Sequence, residues 1–392
     1  MNGNLSKKVL WLLYASHKGG HTYPTRALLN HLQIYYSDYF DSYAINILDY
    51  TYLVSFFETI GRYGDLKFRK LWRAGYKNLQ RENKLFLDVW KRIEKFIFYL
   101  DNVPNKLLKK YPSPDLIISF QPELNAVADF FKKYFFVPWH TVIIDLNLHG
   151  LWVNNAVDFY YVYNNEMREN LIRKGFKPEQ IIISGIPLRE QFLAVTAKPQ
   201  IETRKKLSLY QELPTILIMA GLLGTMVDFT KVIAQIVDLN KACQLLVVCG
   251  KNIRAQKEIL DYKSKLKIPI YVYGTVDLIA PLMWSSDFII SKPGSVTIAE
   301  ALALGKPMIV VTPKAGSLQE FYFAELLEKE NTGRWANTDE EILRLVEEFL
   351  TNPELLENLG KNARQKHGHN LNATKIIAEN IINIFQKRKE QK

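Results

Sequence analysis

The chain has 392 residues, more than one ordinary domain holds, and its 48% hydrophobic and 23% charged content is that of a globular protein with a sizeable core. Its only two cysteines, Cys243 and Cys249, lie in an apolar stretch, which argues against a disulfide scaffold or a zinc site and fits a reducing cytoplasm. The formal charge of +11 is uneven, because residues 62–110 carry 14 Lys/Arg against 5 Asp/Glu, a net +9. No apolar run approaches the roughly 20 residues of a membrane span, and Val9–Ala15 is too short for a cleavable signal.

In chain order, Lys8–Ser16 is a buried-strand pattern, and Gly19-Gly20-His21 turns it into a helix over about Pro24–Tyr36. Tyr43–Asp49 is a second strand. The basic segment follows, with Phe68, Trp72, Tyr76, Phe86, Trp90 and Phe96 among its lysines and arginines, as two or three helices. Three readings fit it: a hairpin with its aromatics packed inward, contact with an anionic membrane surface, or nucleic-acid binding. Asp115–Ser119, Thr141–Asp145, Phe159–Tyr163 and Ile181–Ser184 are further strands, with helices at Asn125–Lys133 and Glu166–Lys174. Strands alternating with helices predict a parallel, doubly wound sheet.

The polar stretch Thr196–Gln211, flanked by Pro199 and Pro214, is the linker candidate. A second alternation begins at Thr215–Ala220 and continues through Gln244–Cys249, Ile268–Tyr273, Phe288–Ser291 and Met308–Thr312, with helices at Asp228–Leu239, Ala255–Lys265 and Val296–Leu304. The last stretch, Ala373–Arg388, is an amphipathic helix with a basic tail. The fold class is therefore α/β, two Rossmann-like doubly wound domains with a cleft between their sheets, where such folds bind ligands.

Five segments carry chemistry. Ser16–His21 puts adjacent glycines directly after a strand; His21 is either a general base or a helix-capping histidine. The segment is neither a dinucleotide fingerprint nor a Walker loop. Gly221 and Gly224 form a matching turn after the first strand of the second half, with a plain tight turn as the alternative. Gly250 and Asn252, and then Val276 after Tyr273-Gly274, lie at strand ends on the same sheet edge. Lys292-Pro293-Gly294-Ser295 turns a strand into a helix whose N-terminal amides suit a pyrophosphate, with Thr297 in the first turn. Glu300, one turn further, is placed to accept two ribose hydroxyls, or is a surface charge. Gln319 and Glu320 offer groups for sugar hydroxyls, or form an ordinary helix start. No Asp-x-Asp pair follows a strand, so no metal is expected, and no cofactor beyond a nucleotide-sugar co-substrate.

In this order the segments resemble the GT-B glycosyltransferases of family 28, a group with bacterial diacylglycerol glucosyltransferases, plant monogalactosyldiacylglycerol synthases and MurG enzymes. The resemblance runs from about Lys8 to Phe349. Its most specific part is Ser291–Pro307, which is similar to the family's Lys-Pro-Gly-Gly, Thr, Glu-Ala donor motif. Asp145, His149, Trp152, Asp158 and Gly185-Ile186-Pro187 resemble the diacylglycerol branch, as does the basic aromatic insertion. The resemblance implies His21 or Asp145 as the base and His149, Trp152, Trp72 and Trp90 at the acceptor or membrane. It places Gly20, Gly221, Gly224, Gly250, Asn252, Val276, Pro293, Gly294, Ser295, Thr297, Glu300, Gln319 and Glu320 at the donor. Ser295 replaces a glycine of the family, and Phe323 stands where an Asn usually follows.

The expectation is an inverting hexosyltransferase acting from a UDP-sugar on diacylglycerol or a glycosyldiacylglycerol, cytoplasmic and peripherally attached to an anionic membrane. No nucleic-acid partner is expected. An acceptor domain would span 1–195, with 373–392 packing back on it, and a donor domain 196–372. The alternatives are a MurG-like or other acceptor, a UDP-sugar 2-epimerase, and a non-catalytic nucleotide-sugar-binding membrane protein.

Overall fold

A computed structural model describes residues 7–16, 20–52, 84–219, 229–263, 267–312 and 318–390. The chain divides into two compact units, Met1–Leu188 with Asn372–Lys392, and Arg189–Leu371.

The first unit runs β1 (Lys8–Tyr14), α1 (Thr22–Tyr35), β2 (Phe40–Asn46), α2 (Lys84–Leu100), α3 (Val103–Leu108), β3 (Leu116–Ser119), α4 (Pro122–Asn125), α5 (Ala128–Phe135), β4 (Trp139–Val142), β5 (Phe159–Val162), α6 (Asn165–Arg173) and β6 (Ile181–Ile183). Its six strands are all parallel, in the order β2-β1-β3-β4-β5-β6. Apolar runs such as Leu116-Ile117-Ile118 are buried throughout, as strands covered on both faces must be.

Two strands sit earlier in the sequence than their hydrophobicity suggests. β2 starts at Phe40, not Tyr43, and pairs Phe40 with Lys8; as an edge strand it tolerates Asp41 and Ser42. β4 starts at Trp139, not Thr141, because Asp158 takes the Trp139 amide at 2.8 Å while bonding Lys132 Nζ at 2.7 Å. The helix expected over Asn125–Lys133 is broken at Ala126–Val127. Asn125 is the cause: its buried side chain bonds Thr141 Oγ1 and the Trp152 carbonyl, both at 2.8 Å.

The second unit runs α7 (Glu190–Thr196), α8 (Gln200–Lys206), β7 (Thr215–Met219), α9 (Phe229–Asp238), β8 (Gln244–Val248), α10 (Ile253–Lys263), β9 (Ile270–Tyr273), α11 (Ala280–Ser285), β10 (Phe288–Ser291), α12 (Ser295–Ala303), β11 (Met308–Val311), α13 (Leu318–Lys329), β12 (Gly333–Ala336), α14 (Asp339–Thr351) and α15 (Pro353–His367). Its parallel sheet has the order β12-β11-β10-β7-β8-β9. The stretch Thr196–Gln211 is no free linker. Arg204 anchors it to the sheet, donating to the Ser285 carbonyl at 2.9 Å and to Asp287 at 2.7 Å.

The final helix α16 (Ala373–Glu390) returns to the first unit. Ala373, Ile377, Ala378 and Ile381 form its buried stripe, Tyr161 donates to Asn380 Oδ1 at 2.9 Å, and Phe385 meets the Phe40 ring.

In each sheet the strand order reverses once, between β1 and β3 and between β7 and β10. Ligands of open parallel sheets bind beyond the carboxyl ends of the strands at that reversal. The segments that follow β1, β3 and β10 are therefore the ones to inspect.

Candidate active site

In the first unit, Asn46 pins the chain just before the glycine turn: its side chain takes the Ser16 amide and donates to the Ser16 carbonyl, each at 3.2 Å. His17, Lys18 and Gly19 lie outside the described residues; Gly20 is exposed and His21 half-buried at the start of α1. The His21 side chain makes no capping bond. Instead Nδ1 lies 3.0 Å from the Phe120 carbonyl, just past β3, so the bond bridges the reversal point of the sheet. A carbonyl only accepts, so Nδ1 carries the proton and Nε2 is the basic nitrogen.

Asp145 follows β4 and is buried. One of its oxygens takes both His149 Nε2, at 3.2 Å, and Trp152 Nε1, at 2.9 Å. Burial alone would raise the Asp145 carboxyl, but the bond and charge of His149, nearby His21 and the indole N–H hold it below its ordinary value. Asp145 is accordingly a poor proton acceptor and a good electrostatic partner for a histidine that becomes a cation. Trp152 is fully buried, so it backs Asp145 and does not meet a membrane. The bond from Asn125 to its carbonyl fixes the 3-10 turn Gly150–Trp152.

That turn packs on α2. Leu87 and Leu151 form a small buried cluster with Trp90, and Lys91 reaches the Val153 carbonyl at 3.2 Å. Ile97 and Phe98 are also buried, and Phe98 meets the Phe131 ring edge-on. The opposite face shows Leu85, Val89, Ile93, Phe96 and Leu100 at helical spacing, Leu85 at 77% and Phe96 at 61% exposure. In the described part of this segment, one face of the helix packs inward and the other exposes apolar side chains. Trp90 belongs to the inward side; Trp72 lies outside the described residues.

In the second unit, Pro293-Gly294 links β10 to α12, and the Gly294 carbonyl accepts the first helical bond, from Ile298, at 2.9 Å. Ser295 and Thr297 fall in the first turn. The Gly294 backbone is extended, and among the described residues a Cβ there would meet only Thr297 Oγ1, at 3.7 Å. Neither its conformation nor its packing among the described residues demands a glycine, and its bare backbone is open to close approach by a ligand.

Glu300 is buried, not a surface charge, and takes Arg189 Nη2 at 2.8 Å. Burial pushes its carboxyl up, and the guanidinium draws it part of the way back. Arg189 Nη1 also reaches the Asp277 carbonyl at 3.3 Å, which Gln191 bonds at 3.0 Å. The loop carrying Val276 is thereby tied to Glu300. Gly250 adopts a left-handed conformation, with φ of 61°, after β8, and Asn252 caps α10 through the Ala255 amide at 3.0 Å. Gln319 and Glu320 sit half-buried in the first turn of α13, whereas Phe323 is a core residue. Gly221, Gly224 and Pro313–Ser317 lie outside the described residues.

Arg189 is the site residue that sequence reasoning missed. It is 111 positions from Glu300, and nothing in its neighbourhood marks it beyond following Gly185-Ile186-Pro187-Leu188.

Residues 21–188 match the family described as Monogalactosyldiacylglycerol (MGDG) synthase, and residues 215–381 match the Glycosyltransferase family 28 C-terminal domain. A processive diacylglycerol beta-glucosyltransferase from Bacillus pumilus is 29% identical over 390 residues, covering 97% of this chain and 95% of that protein. Its Bacillus subtilis counterpart is 29% identical over 389 residues, covering 97% and 96%. Among solved structures, a Neisseria meningitidis UDP-GlcNAc 2-epimerase bound to UDP-GlcNAc has a TM-score of 0.58 at 15% identity, covering 96% of this chain and 100% of that one. Acinetobacter baumannii MurG has a TM-score of 0.57 at 14% identity, covering 97% and 99%. At such identities the likeness to solved structures is one of fold.

Proposed function

Since the chain belongs to glycosyltransferase family 28, in its diacylglycerol glucosyltransferase and monogalactosyldiacylglycerol synthase branch, we propose that it is an inverting hexosyltransferase that moves a sugar from a UDP-sugar to the hydroxyl of a diacylglycerol-type lipid. The observation that carries the reading is the pairing, on one strand–helix unit, of a glycine that no described neighbour requires with a buried carboxylate: Gly294 for the diphosphate, Glu300 for the ribose. The loop carrying Val276 flanks the base, and Gln319 and Glu320 address the sugar.

The acceptor chemistry belongs to the first unit. His21 Nε2 removes the proton of the lipid hydroxyl, and Asp145 stabilises the resulting imidazolium. The hydroxyl oxygen attacks the anomeric carbon as the bond to the UDP oxygen breaks, a single displacement that inverts the centre. The amides of the α12 start, with their end of the helix dipole, receive the charge on departing UDP. This assigns no step to a metal, so activity should survive EDTA.

Attachment to the membrane is assigned to the outward stripe of α2, exposed apolar residues with Arg92 among them. Among the described residues no helix is long and apolar enough to cross a membrane.

The test is UDP release from a panel of UDP-sugars, with and without dioleoylglycerol in anionic vesicles. Release that needs the lipid supports the reading. A UDP-sugar converted without any acceptor would replace it with epimerisation, and UDP binding without turnover would leave a binding protein.

A further inference from the structure

The edge strand β12 pairs with β11 from Gly333, opposite Met308, to Ala336, opposite Val311. The register is tight, because a Cβ on Gly333 would overlap the Met308 carbonyl oxygen, and it sets Trp335 opposite Val310. Trp335 is half-buried, yet it is held from three directions. Its indole Nε1 donates to Thr312 Oγ1 at 2.8 Å, its backbone amide donates to Glu328 Oε1 at 3.1 Å, and its ring meets the Phe321 ring edge-on at 5.8 Å. Thr312 is buried. Its hydroxyl accepts from the indole and donates to Asn337 Oδ1 at 2.9 Å, so its orientation is fixed at both ends.

These contacts fall on both flanks of 313–317. Thr312 leaves β11 just before that segment. Phe321 belongs to the first turn of α13 and directly follows Gln319 and Glu320, and Glu328 lies further along the same helix. Trp335 therefore joins the end of β11 to the helix that carries the two residues assigned to the donor sugar. From its place opposite Val310 the indole reaches two residues on, toward the carboxyl edge of the sheet, where ligands of such sheets bind. The pairing of β11 with β12 is made by the backbone and does not need this side-chain bond.

We infer that Trp335 is a positioning residue for the donor sugar: through Thr312 and Phe321 it fixes where Gln319 and Glu320 stand. Side chains that read hydroxyls have to be held within about 0.5 Å, and a residue bound to both flanks supplies that constraint. The inference rests on the transferase reading, in which Gln319 and Glu320 address the hexose, but it is tested without turnover.

The experiment titrates the full-length protein with UDP, UDP-glucose and UDP-galactose by calorimetry. Trp335→Phe keeps a ring against Phe321 and loses the N–H. Thr312→Val keeps the volume and loses the hydroxyl. Each should weaken the better-bound UDP-hexose about 10-fold, the loss expected for about one hydrogen bond, with UDP affinity unchanged. Thr312→Ser keeps the hydroxyl and should bind like the wild type. Trp335→Phe and Thr312→Val together should cost no more than the worse of the two alone, because both remove the same bond. Should Thr312→Val unfold, Trp335→Phe reads that bond from the half-buried side. The inference is overturned if these variants bind the UDP-hexose like the wild type, if UDP affinity falls in parallel, if Thr312→Ser stays weakened, or if the two losses add. A loss confined to the hexose, with no lipid-dependent UDP release by the wild type, would keep the positioning role and remove the transferase reading. Lipid-dependent release with unaltered hexose binding in the variants would remove the positioning role alone.

Discussion

Replacing Glu300 by Gln separates what this carboxylate does for the fold from what it does for a ligand. Its charge is disfavoured by burial and favoured by Arg189 at 2.8 Å, and the first effect prevails, since the carboxyl titrates above its ordinary value. Glu300→Gln keeps an acceptor for Arg189 but removes its counter-charge, so the unfolding free energy should fall by roughly 1–3 kcal/mol while unfolding stays cooperative. Binding is another matter. An ionised carboxylate holding ribose hydroxyls makes charge-assisted bonds worth about 1.5–3 kcal/mol each. Gln turns one acceptor oxygen into a donor, so about one such bond is lost. UDP affinity should fall roughly 10–100-fold, at about 1.4 kcal/mol per tenfold.

The pH profile adds a sign. A raised carboxyl takes up its proton sooner as pH falls, so wild-type UDP affinity should decline already above the ordinary carboxylate range, and Glu300→Gln should lack that limb. Calorimetric titration with UDP and thermal unfolding, run side by side, decide the matter. A variant that binds UDP within about 3-fold of the wild type, or that loses cooperative unfolding along with affinity, refutes the assignment of Glu300.

Gly294→Ala should fold with nearly unchanged Tm, because among the described residues the added methyl meets only Thr297 Oγ1 at 3.7 Å, yet raise the UDP-sugar KM several-fold; an unaltered KM would mean that no ligand comes near that backbone. Lys306 is buried, its ammonium bonded to the Ser286 carbonyl at 2.7 Å, and burial lowers it to about 7. The unfolded chain binds more protons than the folded one from there up to the ordinary lysine range, so stability should rise by about 2 kcal/mol between pH 7 and pH 9. Lys306→Met should flatten that rise in urea titrations, while Gln200 still bonds the Ser286 carbonyl; parallel profiles would count against it. Phe96→Asp on the outward face of α2 should release the protein from phosphatidylglycerol vesicles in a flotation assay without altering UDP affinity, and full retention would move the membrane contact elsewhere.

Much of the architecture was legible because buried parallel strands are short apolar runs: Thr215–Met219, Gln244–Val248, Phe288–Ser291 and Met308–Val311 stand out from the polar segments between them. Reading failed where one distant side chain sets a boundary. Asp158 fixes the start of β4 and Asn125 splits a helix, and neither residue announces this locally. Gly333–Ala336, with Arg and Trp between small residues, does not look like a strand; it becomes one because β11 offers a free edge. In the site, local chemistry made Gly294 and Glu300 visible. The Arg189 contact with Glu300 depends on a packing of segments 111 residues apart, which periodicity does not encode. Asn252 shows the converse, a polar residue singled out for a ligand whose side chain also caps a helix.

The two-sided character of α2 constrains how this protein can change. Glu94 faces the protein and Phe96 faces away, two residues apart and on opposite sides of the same turn. Because each residue advances the helix by about 100°, one inserted or deleted residue within 84–100 would swing every downstream side chain by that angle. Inner and outer surfaces would be lost in a single event, although either tolerates substitution by itself. The segment is open to drift in composition and closed to drift in length.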